Sequence, residues 1–265
     1  RRVLFRSPSK NILRQNYEVY NPYFTDIMQF VVDTLKTKVK LSSQPTYKSR
    51  VKSFESYYKK VLRLKSDQLE ETNRMIYLTD MMGIRMICAF MEDINFAVDQ
   101  IKNLFEIKEV EVKGSQKKFS EFGYESTHVL IKIPQEVSDE LNSKYPELEP
   151  PSNELVCEIQ IRTILQDAWA EVEHELIYKT EFNPFDIPLR RKLASINASL
   201  TLADITFQEI RDYQNKLQRE MEERRKSFYL MADDLLNEKV EKKEDSQINR
   251  ITPFVQGTID DMLLQ

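Results

Sequence analysis

Apolar and polar residues alternate over 155–163, with Leu155, Cys157, Ile159 and Ile161 on one side and Glu158, Gln160 and Arg162 on the other. A period of two predicts a half-buried strand whose polar face lines up a carboxylate, an amide and a guanidinium about 7 Å apart. The spacing then changes. Leu165, Trp169, Val172 and Leu176 recur every three or four residues, which predicts an amphipathic helix from 164. The same reading predicts a helix over 20–40 with Phe24, Ile27, Phe30, Val31 and Leu35 on its buried face, and a turn at 42–45. A short extended piece then leads into a basic helix over 53–64. A strand over 84–90, a helix over 93–105, a strand at 110–112 and a strand over 126–133 follow. Thr127, Val129, Ile131 and Ile133 share one face of the last. From 188 to about 239 the chain reads as one charged helix, with Leu189, Leu193, Ile196 and Leu200 as its buried stripe. Beyond 205 the apolar positions thin to Ile210, Tyr213, Leu217 and Met221, the pattern of an arm or coiled coil. The expected fold is α+β, a mixed sheet flanked by helices with a long charged C-terminal helix. The expected boundaries are an N-terminal extension over 1–19, a main domain over 20–205 and a helical extension with linker over 206–265. The abrupt ends at Arg1 and Gln265 read as cuts in a longer protein.

Composition narrows the chemistry. The 265 residues are 41% hydrophobic, ample for a core, and the net charge of −4 gives no global field for nucleic acid. Cys88 and Cys157 both fall in apolar strand patterns, so they read as small buried hydrophobes in a reducing, cytoplasmic compartment. No apolar run reaches membrane-spanning length. Only four glycines occur, which excludes a Walker A loop and a dinucleotide fingerprint, both of which need several for close approach to phosphate. Phosphates must therefore be held by side chains and metal. The two histidines, His128 and His174, have no zinc-ligand spacing.

Four segments carry candidate chemistry. Arg50, Lys52, Ser56 and Lys60 are read onto the basic helix, where Lys52, Ser56 and Lys60 at i, i+4 and i+8 stack two cations and a hydroxyl on one face, suited to a polyphosphate. Asp80 stands at the mouth of the apolar strand, just before Arg85. If it opens on the same cleft as Glu158, the pair can share Mg²⁺, which needs only one or two carboxylates plus substrate phosphates. Gly123 begins a turn that exposes Tyr124, followed on the same side by Ser126 and His128; such a ring can stack on a purine or close the core. Each segment alone also fits a solvated face or a capped turn.

Together the motifs resemble a family. Arg50-x-Lys52-x-x-x-Ser56-x-x-x-Lys60, Asp80-x-x-Gly83-x-Arg85, Gly123-Tyr124-x-Ser126-x-His128, Glu158-x-Gln160-x-Arg162-Thr163 and Glu173-His174-x-x-x-Tyr178-Lys179 occur in the order of the synthetase domain of RelA/SpoT proteins. The resemblance covers roughly 20–205. It implies a nucleotidyltransferase-like sheet and transfer of pyrophosphate from ATP to the 3′-hydroxyl of GDP or GTP, releasing AMP. It makes Asp80 and Glu158 the catalytic and Mg²⁺-binding carboxylates, with Glu158 accepting the hydroxyl proton. Arg50, Lys52, Ser56, Lys60 and Arg85 fall to ATP, with Arg50 on the adenine. Tyr124, His128, Gln160, Arg162 and Lys118 fall to the acceptor nucleotide, with Tyr124 on the guanine. Ser49, Phe122 and Glu125 depart from the residues common in the family; the last two flank the acceptor motif and bear on acceptor identity. The histidine-aspartate hydrolase motif of the long members is not present in these residues, which implies a small single-function synthetase.

Two competing functions remain. Some small members of the family modify the 3′ end of tRNA, and Lys113, Lys117, Lys118, Arg190, Arg191 and Lys192 supply local positive charge, although acids are interspersed after 206. A non-catalytic assembly module with a C-terminal helix is the other, and retained Asp80, Glu158 and Tyr124 argue against it. No membrane partner is expected; a homo-oligomer, formed through the C-terminal helix, is.

Overall fold

A computed structural model describes residues 10–63, 75–113, 125–149, 155–178 and 187–241. The chain divides into two compact units, residues 1–208 and 209–265.

In the first unit five strands form one mixed sheet in the order β1-β2-β5-β4-β3: β1 (Thr46–Val51), β2 (Met82–Cys88), β3 (Ile107–Lys113), β4 (Ser126–Lys132) and β5 (Val156–Thr163). Only the β2–β5 pairing is parallel; the other three neighbours run antiparallel. Ile84, Met86 and Cys88 of β2, Val129 and Ile131 of β4, and Cys157, Ile159 and Ile161 of β5 alternate onto one face, where α1 (Lys10–Lys38) and α3 (Met91–Leu104) close a single core over them. The other face carries Lys48 and Arg50 of β1, Arg85 of β2, His128 of β4 and Glu158, Gln160 and Arg162 of β5. Burial holds the Cys88 thiol up to about 12, helped by the Asp93 charge, and raises Cys157 further, so both behave as buried hydrophobes.

Several elements differ from the sequence reading. The first helix begins at Lys10 rather than at 20: Pro22 suits a helix start, yet it lies inside the helix, and Leu13 and Tyr17 join the core. Phe24, Ile27, Val31 and Leu35 are fully buried as expected, whereas Phe30 faces solvent. Arg50 belongs to β1, and Lys52 lies in the link to α2 (Phe54–Arg63), so only Ser56 and Lys60 are helical. A helix over Gln135–Lys144, α4, had no strong apolar period to announce it and buries only Leu141. In α5 (Ile164–Tyr178) Trp169 is buried, but Val172 and Leu176 are exposed. The last helix, α6, runs over Ile187–Glu241. Its buried residues include Leu193 with the polar Asn197 and Asp204, while Ile196 is 52% exposed. Its inner face is therefore partly hydrogen-bonded rather than a continuous apolar stripe. In the second unit, residues 209–241 are helical, and Ile210, Tyr213, Leu217 and Met221 are exposed.

Two local devices aim the polar face. The Lys52 amide donates to Met81 O at 2.8 Å and its carbonyl accepts from the Tyr17 hydroxyl at 2.6 Å, which pins the β1–α2 link against the approach to β2. At the exit of β5, Thr163 and Gln166 form a capping box: Thr163 Oγ1 accepts the Gln166 amide at 3.0 Å, and Gln166 Oε1 accepts the Thr163 amide at 2.9 Å. Thr163 Oγ1 in turn donates to the buried Asp204 of α6 at 2.6 Å.

Candidate active site

Strand register sets the polar face in rows across the sheet. One row joins Arg50, Gly83, Glu158, Leu130 and Glu109; the next joins Lys48, Arg85, Gln160, His128 and Glu111. Cations thus gather on β1 and β2, carboxylates on β3, and Glu158 with Gln160 stand between them.

Two cavities open on this face. One of about 550 Å³ is lined by Lys48, Arg50, Lys52, Gly83 and Arg85, with Glu171, His174 and Glu175 of α5 opposite. The other, of about 350 Å³, is lined by Lys60, Thr79, Lys113 and His128 with Glu109 and Glu111. Asp80, Glu158 and Gln160 line both.

Asp80 Oδ2 receives Lys52 Nζ and Lys60 Nζ, each at 2.8 Å. Burial works to raise its pKa, but these two cations outweigh it and leave the carboxyl below its ordinary range. Glu158 Oε1 lies 2.7 Å from His128 Nδ1, and Oε2 accepts from Gln160 Nε2 at 2.8 Å. Here too burial opposes, and the His128 and Gln160 hydrogen bonds prevail, so Glu158 is also lowered. Both carboxylates are ionised at neutral pH. On the α5 side, Asp167 takes Lys48 Nζ at 2.7 Å and Arg162 Nη1 at 3.4 Å, and Arg85 pairs with Glu171.

Similarity to known proteins accords with this arrangement. Residues 49–183 match the family described as the region found in RelA / SpoT proteins. The chain is 32% identical over 164 residues to the GTP pyrophosphokinase YwaC of Bacillus subtilis, covering 58% of this chain and 72% of that protein. The chain belongs to the RelA/SpoT family. It is also 33% identical over 152 residues to GTP pyrophosphokinase YjbM of the same organism, covering 57% of this chain and 64% of that protein. The crystal structure of small alarmone synthetase 2 from Bacillus subtilis superimposes with a TM-score of 0.56 at 28% identity, over 74% of this chain and 96% of that one. The mixed α+β sheet is thus that of the small alarmone synthetases.

For a RelA/SpoT protein the residues expected from sequence fall in three groups. Asp80, Glu158, Arg50, Lys52, Lys60, Arg85, His128 and Gln160 all reach the two cavities. Ser56 is exposed, bonded to Ser53 Oγ at 3.0 Å, and lies outside both linings; Arg162 is 5% exposed, pairs with Asp167 of α5 and also lies outside both linings. Tyr124 and Lys118 lie outside the described residues, as do Lys117 and Lys179. Lys48, Glu109, Glu111, Glu171 and Glu175 also line the cavities without having been singled out. Lys48, Arg50 and Lys52 alternate in sequence, and so do Glu109, Glu111 and Lys113; this period of two was their available signal.

Among the described residues no group of three or more His, Cys, Asp and Glu side chains is placed to hold a metal ion. The donor set nevertheless fits a divalent cation shared with phosphate. Asp80 Oδ1 is buried and has no hydrogen-bond partner, and a hard oxygen beside Glu158 is the ligand type such a cation takes.

Proposed function

We propose that this chain is a GTP pyrophosphokinase, transferring the β,γ-pyrophosphoryl group of ATP to the 3′-hydroxyl of GDP or GTP with release of AMP. The observation that carries the reading is the meeting of two cavities on Asp80, Glu158 and Gln160, with cations on both sides. The names of the two Bacillus relatives point the same way. ATP takes the larger cavity, its phosphates against Lys48, Lys52 and Arg85 and its adenine on Arg50; Lys60 reaches the phosphates from α2, and Ser56, whose oxygen accepts from Ser53, donates its own hydroxyl to them. The acceptor takes the smaller cavity beside His128, with Tyr124 stacked on guanine and Lys118 on its phosphates. The acceptor oxygen bonds to the β-phosphorus, the bond from the β-phosphorus to the α,β-bridging oxygen breaks, and that oxygen keeps the electron pair and leaves on AMP. Glu158 takes the hydroxyl proton, and His128 and Gln160 hold its carboxylate in place. Mg²⁺ bound by Asp80 and Glu158 supplies charge neutralisation at the polyphosphate. The catalytic unit is residues 20–205, the enzyme is cytoplasmic, and it assembles as a homo-oligomer through exposed apolar residues of α6.

Incubating the protein with γ-labelled ATP, Mg²⁺ and, separately, GMP, GDP, GTP or deacylated tRNA tests this. Label in a guanosine nucleotide is expected. Label only in tRNA moves the function to the RNA, and label in none of them removes the reading.

A further inference from the structure

Along the polar face of β5 a chain of hydrogen bonds runs from Asp167 through Arg162 and Gln160 to Glu158. Arg162 is a donor only, and its contacts include Nη1 to Asp167 Oδ1 at 3.4 Å, Nε to Ser126 Oγ at 3.2 Å and Nη2 to Gln160 Oε1. Because Arg162 claims the carbonyl of Gln160, the amide nitrogen of Gln160 must face the other way. It does, donating to Glu158 Oε2 at 2.8 Å. The other oxygen of Glu158 meets His128 Nδ1. The donor-only guanidinium sets the orientation of the Gln160 amide, and the Glu158 carboxylate accepts on both of its oxygens.

Asp167 anchors that guanidinium. It is 5% exposed, comes from the first turn of α5 and faces an Arg162 that is equally buried. A buried guanidinium without its carboxylate has reason to turn toward water or toward another anion, and Glu158 is close by. The capping box at Thr163 and Gln166 fixes where α5 starts, and so where Asp167 stands.

We propose that Asp167 is a positioning residue for Glu158, acting through Arg162 and Gln160 rather than through substrate. This rests on the pyrophosphokinase reading, in which Glu158 meets the acceptor hydroxyl. Partners that orient a functional carboxylate from behind typically carry about 10- to 100-fold in activity. Asp167→Asn should therefore lower kcat at least about tenfold while the KM for ATP stays within about twofold. In a Gln160→Leu background, where the link is already cut, adding Asp167→Asn should lower kcat no further. If Asp167→Asn does not give a cooperative melt, Arg162→Lys replaces it: the lysine keeps a cation for Asp167 but loses the planar fork whose separate nitrogens reach Asp167 and Gln160, so the same kcat loss is expected.

The chain has two histidines, so the ¹⁵N imidazole spectrum reads the Glu158 contact without turnover. The His128 signal should shift in Asp167→Asn and in Arg162→Lys, whatever the acceptor proves to be. An unmoved His128 signal, a kcat loss that adds fully to that of Gln160→Leu, or a raised ATP KM with intact kcat overturns the proposal. The last would instead assign Asp167 to donor binding through Lys48. Failure of the wild-type protein to transfer label defeats the pyrophosphokinase reading separately, because the His128 spectrum still decides the relay.

Discussion

Gly83 sits between Arg50 and Glu158 in the central row of the sheet and lines the larger cavity. A Cβ built there meets only Arg50 O, at 4.0 Å, so the backbone here accepts a β-carbon without a clash. Strand interiors also favour β-branched residues over glycine. Gly83→Val should therefore melt no lower than wild type, yet raise the KM for ATP by at least about tenfold by filling the donor cavity; thermal melts beside steady-state kinetics check both. Asp80→Asn and Glu158→Gln should each lower kcat by about 10²–10³, the usual loss of one transition-state electrostatic contact, with cooperative melts retained. Near-wild-type turnover in either would remove that residue from the reaction. At this scale the sequence was informative where an alternation or a motif spacing carried the signal, as for Asp80, Glu158, Gln160 and Lys52. It did not reveal Asp167 or Glu171. Their positions depend on where α5 crosses the sheet, which no single segment encodes.

Elements were legible wherever one face met the core. β4 and β5 alternate cleanly, and α1 and α3 carry strong apolar faces. The misreadings share a physical cause. β1 is an edge strand whose residues are mostly exposed, so its Lys and Arg alternation looked helical when joined to Ser56 and Lys60. α4 buries one residue, and α6 replaces part of its apolar stripe by Asn197 and Asp204. The Asp204 contact carries a measurable consequence. Burial raises the pKa of its carboxyl, and the hydrogen bond from Thr163 only partly offsets this. The folded state thus binds the proton more tightly than the unfolded state, so the stabilisation from protonation is present at low pH and lost as pH rises through the folded value. Asp204→Asn keeps an acceptor for Thr163 without the buried charge. It should melt above wild type at pH 7, with the gap closing toward pH 4. A lower melting temperature at pH 7 would mean that the ionised carboxylate stabilises this contact.

On the scale of the whole molecule, every described residue that lines the two cavities falls between Lys48 and Glu175, inside the first compact unit. A chain ending after Gln208 keeps the Thr163–Asp204 bond and the Glu92 amide bond to Gln208. It should transfer pyrophosphate with a kcat within about threefold of the full chain if the second unit serves assembly alone, and sedimentation of both chains should then show a smaller species for the shorter one. Loss of transfer would make the second unit part of the catalytic requirement. The fold class was readable because alternating strands and amphipathic helices dictate layers, and the reaction class because the motifs stand in family order. The central claim is attack at the β-phosphorus of ATP. Its most direct test is the product balance with ATP labelled separately in the β- and γ-phosphates, using GDP or GTP as acceptor. The account predicts one AMP per modified acceptor, with both labels transferred together; ADP as the co-product, with only the γ-label in the acceptor, would contradict it.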